Sequence, residues 1–143
     1  MELKTMKIKD KDYVTVAERV RAFRELHPDW SILTDILSND AGICLMQATI
    51  KDTEGRILAT GHAYEKEGSS FINAGSYIEN AETSAVGRAL GILGIGITNS
   101  IAGAEEIQNA VANQNTTTTH TVSLDEALDR HIEIVEQHES HAA

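Results

Sequence analysis

The stretch ENAETSAVGRALGILGIG, residues 79–96, decides the fold of this 143-residue chain. Ala81, Ala85 and Ala89 recur at the i, i+4 spacing that places side chains on one face of a helix. Each glycine costs a helix about 1 kcal/mol relative to alanine, so a helix that keeps several of them needs a compensating contact. We therefore predict a helix over 78–93 whose alanine ridge lies very close to a neighbouring element.

The glycines of the same stretch are predicted to have two further roles. Gly87 and Gly91 lie four residues apart and leave room for a close neighbour on a second side of the helix, which in a ring-forming protein would be the next subunit. Gly94 and Gly96 suit the positive φ that ends a helix. Because these glycines follow a helix instead of opening one after a strand, they do not form a dinucleotide-binding loop.

Three β-prone runs precede this helix, at 31–37, 43–51 and 56–65. The turns between them are rich in Asn, Asp and Gly, which is typical of an antiparallel meander. Alternation places Ala59, Gly61 and Ala63 on one face, and this shallow face is expected to receive the alanine ridge.

A first helix is predicted over 15–26. Thr15 and Glu18 have the spacing of a capping box, and Pro28 stops the helix. Val16, Val20 and Phe23 form its apolar stripe, whereas arginines at 21 and 24 lie on a different face.

The remaining chain gives a loop at 66–77, with Phe71 and Ile72 as its anchors, and a short helix over 100–112. We predict an α+β fold: helix, three-stranded antiparallel meander and helix, with a short C-terminal helix after a linker. The expected units are a core at 1–111, a threonine-rich linker at 112–122 and an acidic amphipathic tail at 123–143.

The charge of the chain is unevenly distributed. The formal net charge is −10, but residues 1–24 carry a balance of +3 and residues 104–143 a balance of −7. The head is either a solvated face or a basic binding surface.

Cys44, the single cysteine, is expected to be a small buried strand residue in a reducing cytoplasm. No signal peptide or bilayer-spanning apolar run is expected.

No motif of a metalloprotease, phosphate loop or thiol redox site occurs in the sequence. His62 is an isolated acid–base candidate and is more typical of a surface polar residue. The spacing of His131 and His138 does not suit a metal site. We expect a protein that is not an enzyme and has neither cofactor nor metal.

Three stretches together resemble a known family: K-x-Y-V-x-V-x-x-R-V-x-x-F-R at 11–24, A-T-G-H-A-x-E at 59–65, and the 79–96 stretch. They are similar to phage single-strand annealing proteins of the Erf/Sak type, over residues 7–107. The resemblance implies an annealing core that assembles into rings or filaments in the host bacterial cytoplasm. It implies binding and annealing of single-stranded DNA without sequence preference, in phage recombination or replication.

A strand-binding track needs cations for phosphates and rings for bases. The candidate DNA-binding residues share these properties: Lys7, Lys9, Lys11, Arg21, Arg24, Lys51, Arg56, Tyr64 and Arg88. Lys51 and Arg56 flank one hairpin turn, and Tyr64 is predicted on the strand face of Arg56. Arg88 either forms a structural ion pair with Glu79 or Glu82 or contacts a phosphate. Aromatic residues are only 4% of the chain, so backbone electrostatics should dominate binding.

Two other interpretations remain open. The helix–meander–helix order is also that of the double-stranded RNA-binding domain, but Glu79 and Glu82 have the wrong sign for gripping phosphates at the start of the last helix. The chain could instead be a phage accessory protein that binds a host protein or small ligand through the 66–77 loop and its acidic surface. The acidic tail could compete with DNA or recruit a replication or recombination protein.

Overall fold

The computed structural model describes residues 2–116. The described part contains eight elements in chain order: β1 (Thr5–Ile8), β2 (Lys11–Val14), α1 (Val16–Leu26), β3 (Ser31–Asp40), β4 (Ile43–Lys51), β5 (Ile57–Lys66), α2 (Tyr77–Leu93) and α3 (Ala104–Thr116). The predicted α+β fold with a three-stranded antiparallel meander is confirmed. The tail at 123–143, its helix, its histidines and its partner lie outside the described residues, as does most of the expected linker.

The main sheet has the order β3-β4-β5, and both pairings are antiparallel. Strand β3 is three residues longer than predicted because its turn contains only Ala41 and Gly42, whose φ values of +52° and +73° suit a tight type I′ hairpin. The polar residues 38–40, which we assigned to the turn, therefore pair with β4. Cys44 on β4 is fully buried, as predicted.

Helix α2 packs on β5 and β4 through its alanine ridge, as the sequence predicts. Ala81, Ala85 and Ala89 are completely buried. A Cβ at Gly61 of β5 would lie 2.5 Å from the backbone oxygen of Ala85, closer than real Cβ atoms come to other atoms. Gly61 is therefore required by the approach of the helix backbone to the strand.

The second side of α2 meets the same chain and not another subunit, so our prediction for Gly87 and Gly91 was wrong about the neighbour. A Cβ at Gly87 would lie 2.6 Å from Cγ2 of Val16 on α1, and one at Gly91 would lie 2.8 Å from the backbone oxygen of Ile101. These glycines let α1 and the segment before α3 pack closely on α2. Gly94 ends α2 at φ +101°, as predicted.

Two side chains, those of Thr15 and Glu105, accept hydrogen bonds from the backbone amides at the N-terminus of α1. The Thr15 hydroxyl accepts a hydrogen bond from the Glu18 amide at 3.3 Å, which is half of the predicted capping box. Glu18 does not complete the box, because its carboxylate accepts from the Lys4 amide and pairs with Arg21. The free Val16 amide instead donates to both carboxylate oxygens of Glu105 on α3, at 3.2 and 3.0 Å.

Arg19 on α1 is completely buried and fixes the packing of three segments. Its guanidinium donates to backbone oxygens of Gly87 and Ile101 at 2.7 and 2.6 Å, and to those of Gly96 and Ser100 at 3.1 and 3.5 Å. Burial lowers the pKa of this guanidinium, and nearby Glu105 and Glu106 oppose that shift. Arg19 is therefore a structural residue, and the basic head has one fewer charge at its surface than its sequence contains.

The strands β1 and β2 form a separate hairpin that the sequence analysis did not predict. Lys9 and Asp10 occupy its two-residue turn at φ +47° and +67°. The Thr98 hydroxyl and the Asn99 side-chain amide both donate to the backbone oxygen of Asp12, at 2.9 and 3.0 Å, and hold the hairpin against the segment after α2. Among the described residues, no helix is long and apolar enough to cross a membrane.

Candidate nucleic-acid interface

Three of the predicted cations lie at one end of the main sheet. Arg24 donates from Nη1 to the backbone oxygen of Trp30 at 2.8 Å, directly before β3. The first residue of β3, Ser31, is paired with Lys51 at the end of β4. Arg56 follows in the β4–β5 turn and is exposed. We call Arg24, Lys51 and Arg56 the basic end of the sheet.

An aromatic cluster that the sequence analysis missed borders the basic end. The rings of His27 and Trp30 are stacked with centroids 3.5 Å apart and an interplanar angle of 2°. Phe23 is tilted against both rings, and the Arg24 guanidinium lies 5.2 Å from the Phe23 centroid. Phe23 and His27 are four residues apart at the end of α1, and the turn at Pro28 places Trp30 on His27. The i, i+4 spacing of Phe23 and His27 was therefore a local signal for part of this cluster.

The basic end also contains acidic side chains. Asp52 Oδ1 accepts from the amides of Glu54 and Arg56 at 2.9 and 3.0 Å, which fixes the turn between β4 and β5. The Asp52 carboxylate is thus used by the backbone, and the described ion pairs do not include Lys51 or Arg56. Both cations are therefore without a described ion pair, and the carboxylates of Asp52 and Glu54 remain close to them in the same turn.

The three predicted lysines of the head, Lys7, Lys9 and Lys11, lie on the β1–β2 hairpin and are exposed. Lys7 is paired with Asp12 across the hairpin, and Lys11 with Ile8. This hairpin belongs to a different sheet from Lys51 and Arg56. The predicted cations on the hairpin and those at the basic end therefore form two separate basic groups, because they lie on different sheets.

The other predicted residues differ in how available they are. Arg21 pairs with Glu18 but remains more than half exposed. Tyr64 is 68% exposed on β5, opposite Leu45. Arg56 lies outside β5, and the register shift between Ile50 and Lys51 interrupts strand alternation, so alternation does not place Tyr64 and Arg56 on one face.

Arg88 has a structural partner, although not one of the two we expected. Its Nη1 atom lies 3.3 Å from Oε1 of Glu106 on α3. The predicted alternatives lie elsewhere, because Glu82 accepts from the Thr34 hydroxyl at 2.8 Å and Glu79 is exposed. Burial raises the pKa of Glu106, with the Arg88 charge opposing this shift.

A polar cavity of about 420 Å³ lies between the end of β5 and α3. Its lining includes Tyr64, Lys66 and Glu106 together with the buried Glu65. The Glu65 carboxylate accepts from Asn73 Nδ2 at 2.7 Å and from Asn109 Nδ2 at 3.0 Å. These bonds fasten the loop after β5 and helix α3 to the edge of the sheet.

The loop between β5 and α2 is anchored differently from the prediction. Phe71, an expected anchor, is 84% exposed, whereas Asn73 is completely buried. Asn73 satisfies the buried polar groups of this loop, which an apolar ring does not do.

His62, the isolated acid–base candidate, is exposed on β5 opposite Gln47. No group of three or more His, Cys, Asp or Glu side chains is placed to hold a metal within residues 2–116.

Comparison with known proteins identifies the fold family. The family described as "Slr1353 N-terminal dsRNA-binding domain-like" matches residues 20–93, which are more than half of the chain. The chain belongs to this family. No curated protein and no solved structure matches it. A dsRNA-binding-domain-like fold suggests nucleic-acid binding in general.

This match corrects two of our expectations. The resemblance to Erf/Sak annealing proteins was wrong. We had disfavoured the double-stranded RNA-binding domain because of the negative charges of Glu79 and Glu82, yet the matching family is described as similar to that domain. The resemblance depended strongly on the small residues of 79–96. Their spacing is explained inside one chain by the contacts of α2 with Gly61 and Val16.

Proposed function

We propose that this protein binds single-stranded DNA without sequence preference and without catalysing a reaction. The observation that carries the proposal is the start of α2, where Glu79 and Glu82 are exposed on a dsRNA-binding-domain-like fold. Domains of this kind bridge phosphates across a duplex groove, and carboxylates at the start of the last helix repel those phosphates. A single strand is not held to that duplex geometry: its phosphates can follow the cations elsewhere, while its unpaired bases contact other parts of the surface.

The basic end of the sheet supports this proposal. Lys51 and Arg56 lack a described ion pair, and both flank the same turn. Phosphate contacts of this type carry no sequence information. A strand held by about three such cations should bind with a slope of log K against log salt near −2, since each contact contributes roughly −0.7 for single strands.

The test compares four labelled ligands by fluorescence anisotropy: single-stranded DNA, duplex DNA, single-stranded RNA and duplex RNA of equal length. We expect the strongest binding to single-stranded DNA, with similar affinities for unrelated sequences. Tighter binding to duplex RNA would refute the proposal. Binding to none of the four would favour the alternative of an accessory protein with a protein or small-molecule ligand.

Strand annealing is a separate part of the proposal. A protein that neutralises two strands at once reduces their repulsion and brings complementary bases together. Mixing complementary labelled strands with the protein and following energy transfer between the labels measures this directly. Acceleration over protein-free strands is expected, whereas binding without acceleration would leave a coating function only.

We also propose that the protein forms homo-oligomers, and the edge of the main sheet supports this. Within residues 2–116, strand β3 has one unpaired edge and exposes Leu33, Ile36 and Leu37 at 46%, 48% and 45%. A long apolar edge strand is a template for pairing with another chain. Pairing of two β3 strands about a two-fold axis gives a dimer, whereas a ring or filament needs β3 to meet a different surface of the next copy.

Light scattering tests this association. The wild-type protein should scatter as an oligomer, and Leu33→Lys should lower the mass because a charge on the edge opposes pairing. A wild-type protein that is monomeric at all concentrations, with and without oligonucleotide, would refute this part.

A further inference from the structure

Phe71 is the most exposed of the large apolar side chains described, with 84% of its surface accessible. A buried phenylalanine contributes strongly to folding, whereas this ring contributes little to the core. The residues that follow in the loop, Ala74, Gly75 and Ser76, are small and also exposed. The fold therefore presents the Phe71 ring to solvent.

The exposure of Phe71 does not follow from a loosely attached loop. Asn73, two residues later, is completely buried and donates from Nδ2 to Glu65 at 2.7 Å and to the Ser69 hydroxyl at 2.9 Å. Its Oδ1 atom accepts from Asn80 Nδ2 on α2 at 2.8 Å. Ser70 is also buried, at 3% exposure.

The backbone closes the loop as well. The Gly68 amide donates to the backbone oxygen of Asn73 at 3.1 Å, and the Asn73 amide donates to that of Ser70 at the same distance. Phe71 thus projects from a hydrogen-bonded turn whose ends are fixed to β5 and α2. Because the backbone of the loop is already fixed, the loop loses little conformational freedom on binding, which favours affinity.

A second exposed ring lies at the same end of the sheet. Tyr64 is 68% exposed on β5, and the Asn73–Glu65 hydrogen bond holds the Phe71 loop against the residue next to it. Lys66, which is exposed, lies between the strand and the loop. Two exposed rings at one end of a sheet are the side chains on which single-strand binders stack bases.

We propose that Phe71 stacks on an unpaired nucleobase of the bound strand and that Tyr64 stacks on another. This inference rests on the proposed function and adds to it a base-contact site at the opposite end of β5 from the basic end. Ten residues of strand span about 33 Å, so one DNA strand would meet phosphate contacts at one end and stacking contacts at the other.

A nucleobase fits this site better than an apolar protein partner does. A protein interface needs a contiguous apolar patch, whereas a base needs only one ring face. The exposed residues that follow in the loop are small (Ala74, Gly75 and Ser76), and exposed Glu67 offsets the charge of Lys66, so the contact expected at this site is with a base and not with a phosphate.

The test uses the full chain and a single-stranded oligonucleotide containing 2-aminopurine, whose fluorescence changes on stacking. Phe71→Ala should weaken binding about tenfold and abolish the fluorescence change at one position, and Tyr64→Ala should do so at another. Phe71→Trp should retain both affinity and signal because it keeps an aromatic face. The slope of log K against log salt should stay unchanged in the alanine variants, since no phosphate contact is removed.

The matched control is Ile92→Ala, which removes an exposed apolar side chain (51%) from α2 and should bind like the wild type. If Phe71→Ala also binds like the wild type, the stacking inference is overturned while the proposed function stands. The stacking inference is likewise overturned if Phe71→Ala abolishes self-association and leaves DNA affinity unchanged, because the ring then belongs to a protein interface. A wild-type protein that binds no single strand overturns both.

Discussion

Replacing Gly61 by alanine tests the closest contact in the fold. The new Cβ would lie 2.5 Å from the backbone oxygen of Ala85, whereas real Cβ atoms essentially never come within 3.0 Å of another atom. Helix α2 would have to move by about half an ångström, because the obstructing atoms are backbone and cannot rotate away. The movement would loosen the contacts of Ala85 and Ala89 with the sheet.

The expected cost follows from two opposing effects. Overpacking a well-packed core costs about 1–3 kcal/mol, and this contact belongs at the upper end because a whole helix must shift. Alanine recovers about 0.5–1 kcal/mol of the penalty that glycine imposes on a strand. We therefore expect Gly61→Ala to lower the free energy of unfolding by about 2 kcal/mol, which corresponds to a melting temperature roughly 10 °C lower.

The assay is thermal and urea unfolding followed by circular dichroism, with Gly75→Ala as the control. A Cβ at Gly75 meets no atom within 4 Å, so that variant should remain within about 0.5 kcal/mol of the wild type. Adding Ala85→Gly should not rescue Gly61→Ala, because the clash involves the backbone oxygen and not the Ala85 methyl group. Equal melting temperatures for Gly61→Ala and Gly75→Ala would refute the close approach of α2 to β5.

Three further predictions concern charged residues. Arg19→Met should lower the free energy of unfolding by about 3 kcal/mol, because four backbone oxygens lose their hydrogen-bond donor. Urea denaturation measures this loss. Arg19→Lys should not restore the wild-type value, because an ammonium lacks the guanidinium fork. Burial raises the pKa of Glu106, so the folded state binds its proton more tightly than the unfolded state, and wild-type stability relative to Glu106→Gln should fall as pH rises through that pKa. Parallel pH profiles of the two proteins would contradict this sign. Exchanging both Lys51 and Arg56 for glutamine should weaken single-strand binding and reduce the salt slope by about 1.4, whereas Lys51→Arg with Arg56→Lys should retain it, as anisotropy titrations at several salt concentrations can show.

Local pattern was enough to predict the main elements. The Thr15 cap, the Asn- and Gly-rich turns and the alanine ridge each encode one element through residues close together in the chain. The packing of α2 on β5 could also be predicted, because a smooth helix face and a shallow strand face are complementary in shape. The candidate cations could be proposed from charge alone, since lysine and arginine side chains generally remain at the surface.

Arg19 shows where this reasoning stops. Its spacing in α1 resembles that of a surface arginine, and its burial depends on backbone oxygens 68 to 82 residues away. The ion pair of Arg88 with Glu106 likewise depends on how elements meet in space. Sequence spacing reports which residues share an element but not which element lies opposite them.

The sequence by itself determined that this chain forms a helix, an antiparallel meander and a second helix whose small residues require a close neighbour. Only the tertiary structure decided that those neighbours are β5, α1 and the segment before α3 of the same chain. It also decided that Asn73 anchors the loop after β5 while Phe71 is exposed. The physical reason is that propensity and periodicity act over a few residues, whereas burial and hydrogen bonding of a side chain depend on partners brought together from distant parts of the chain.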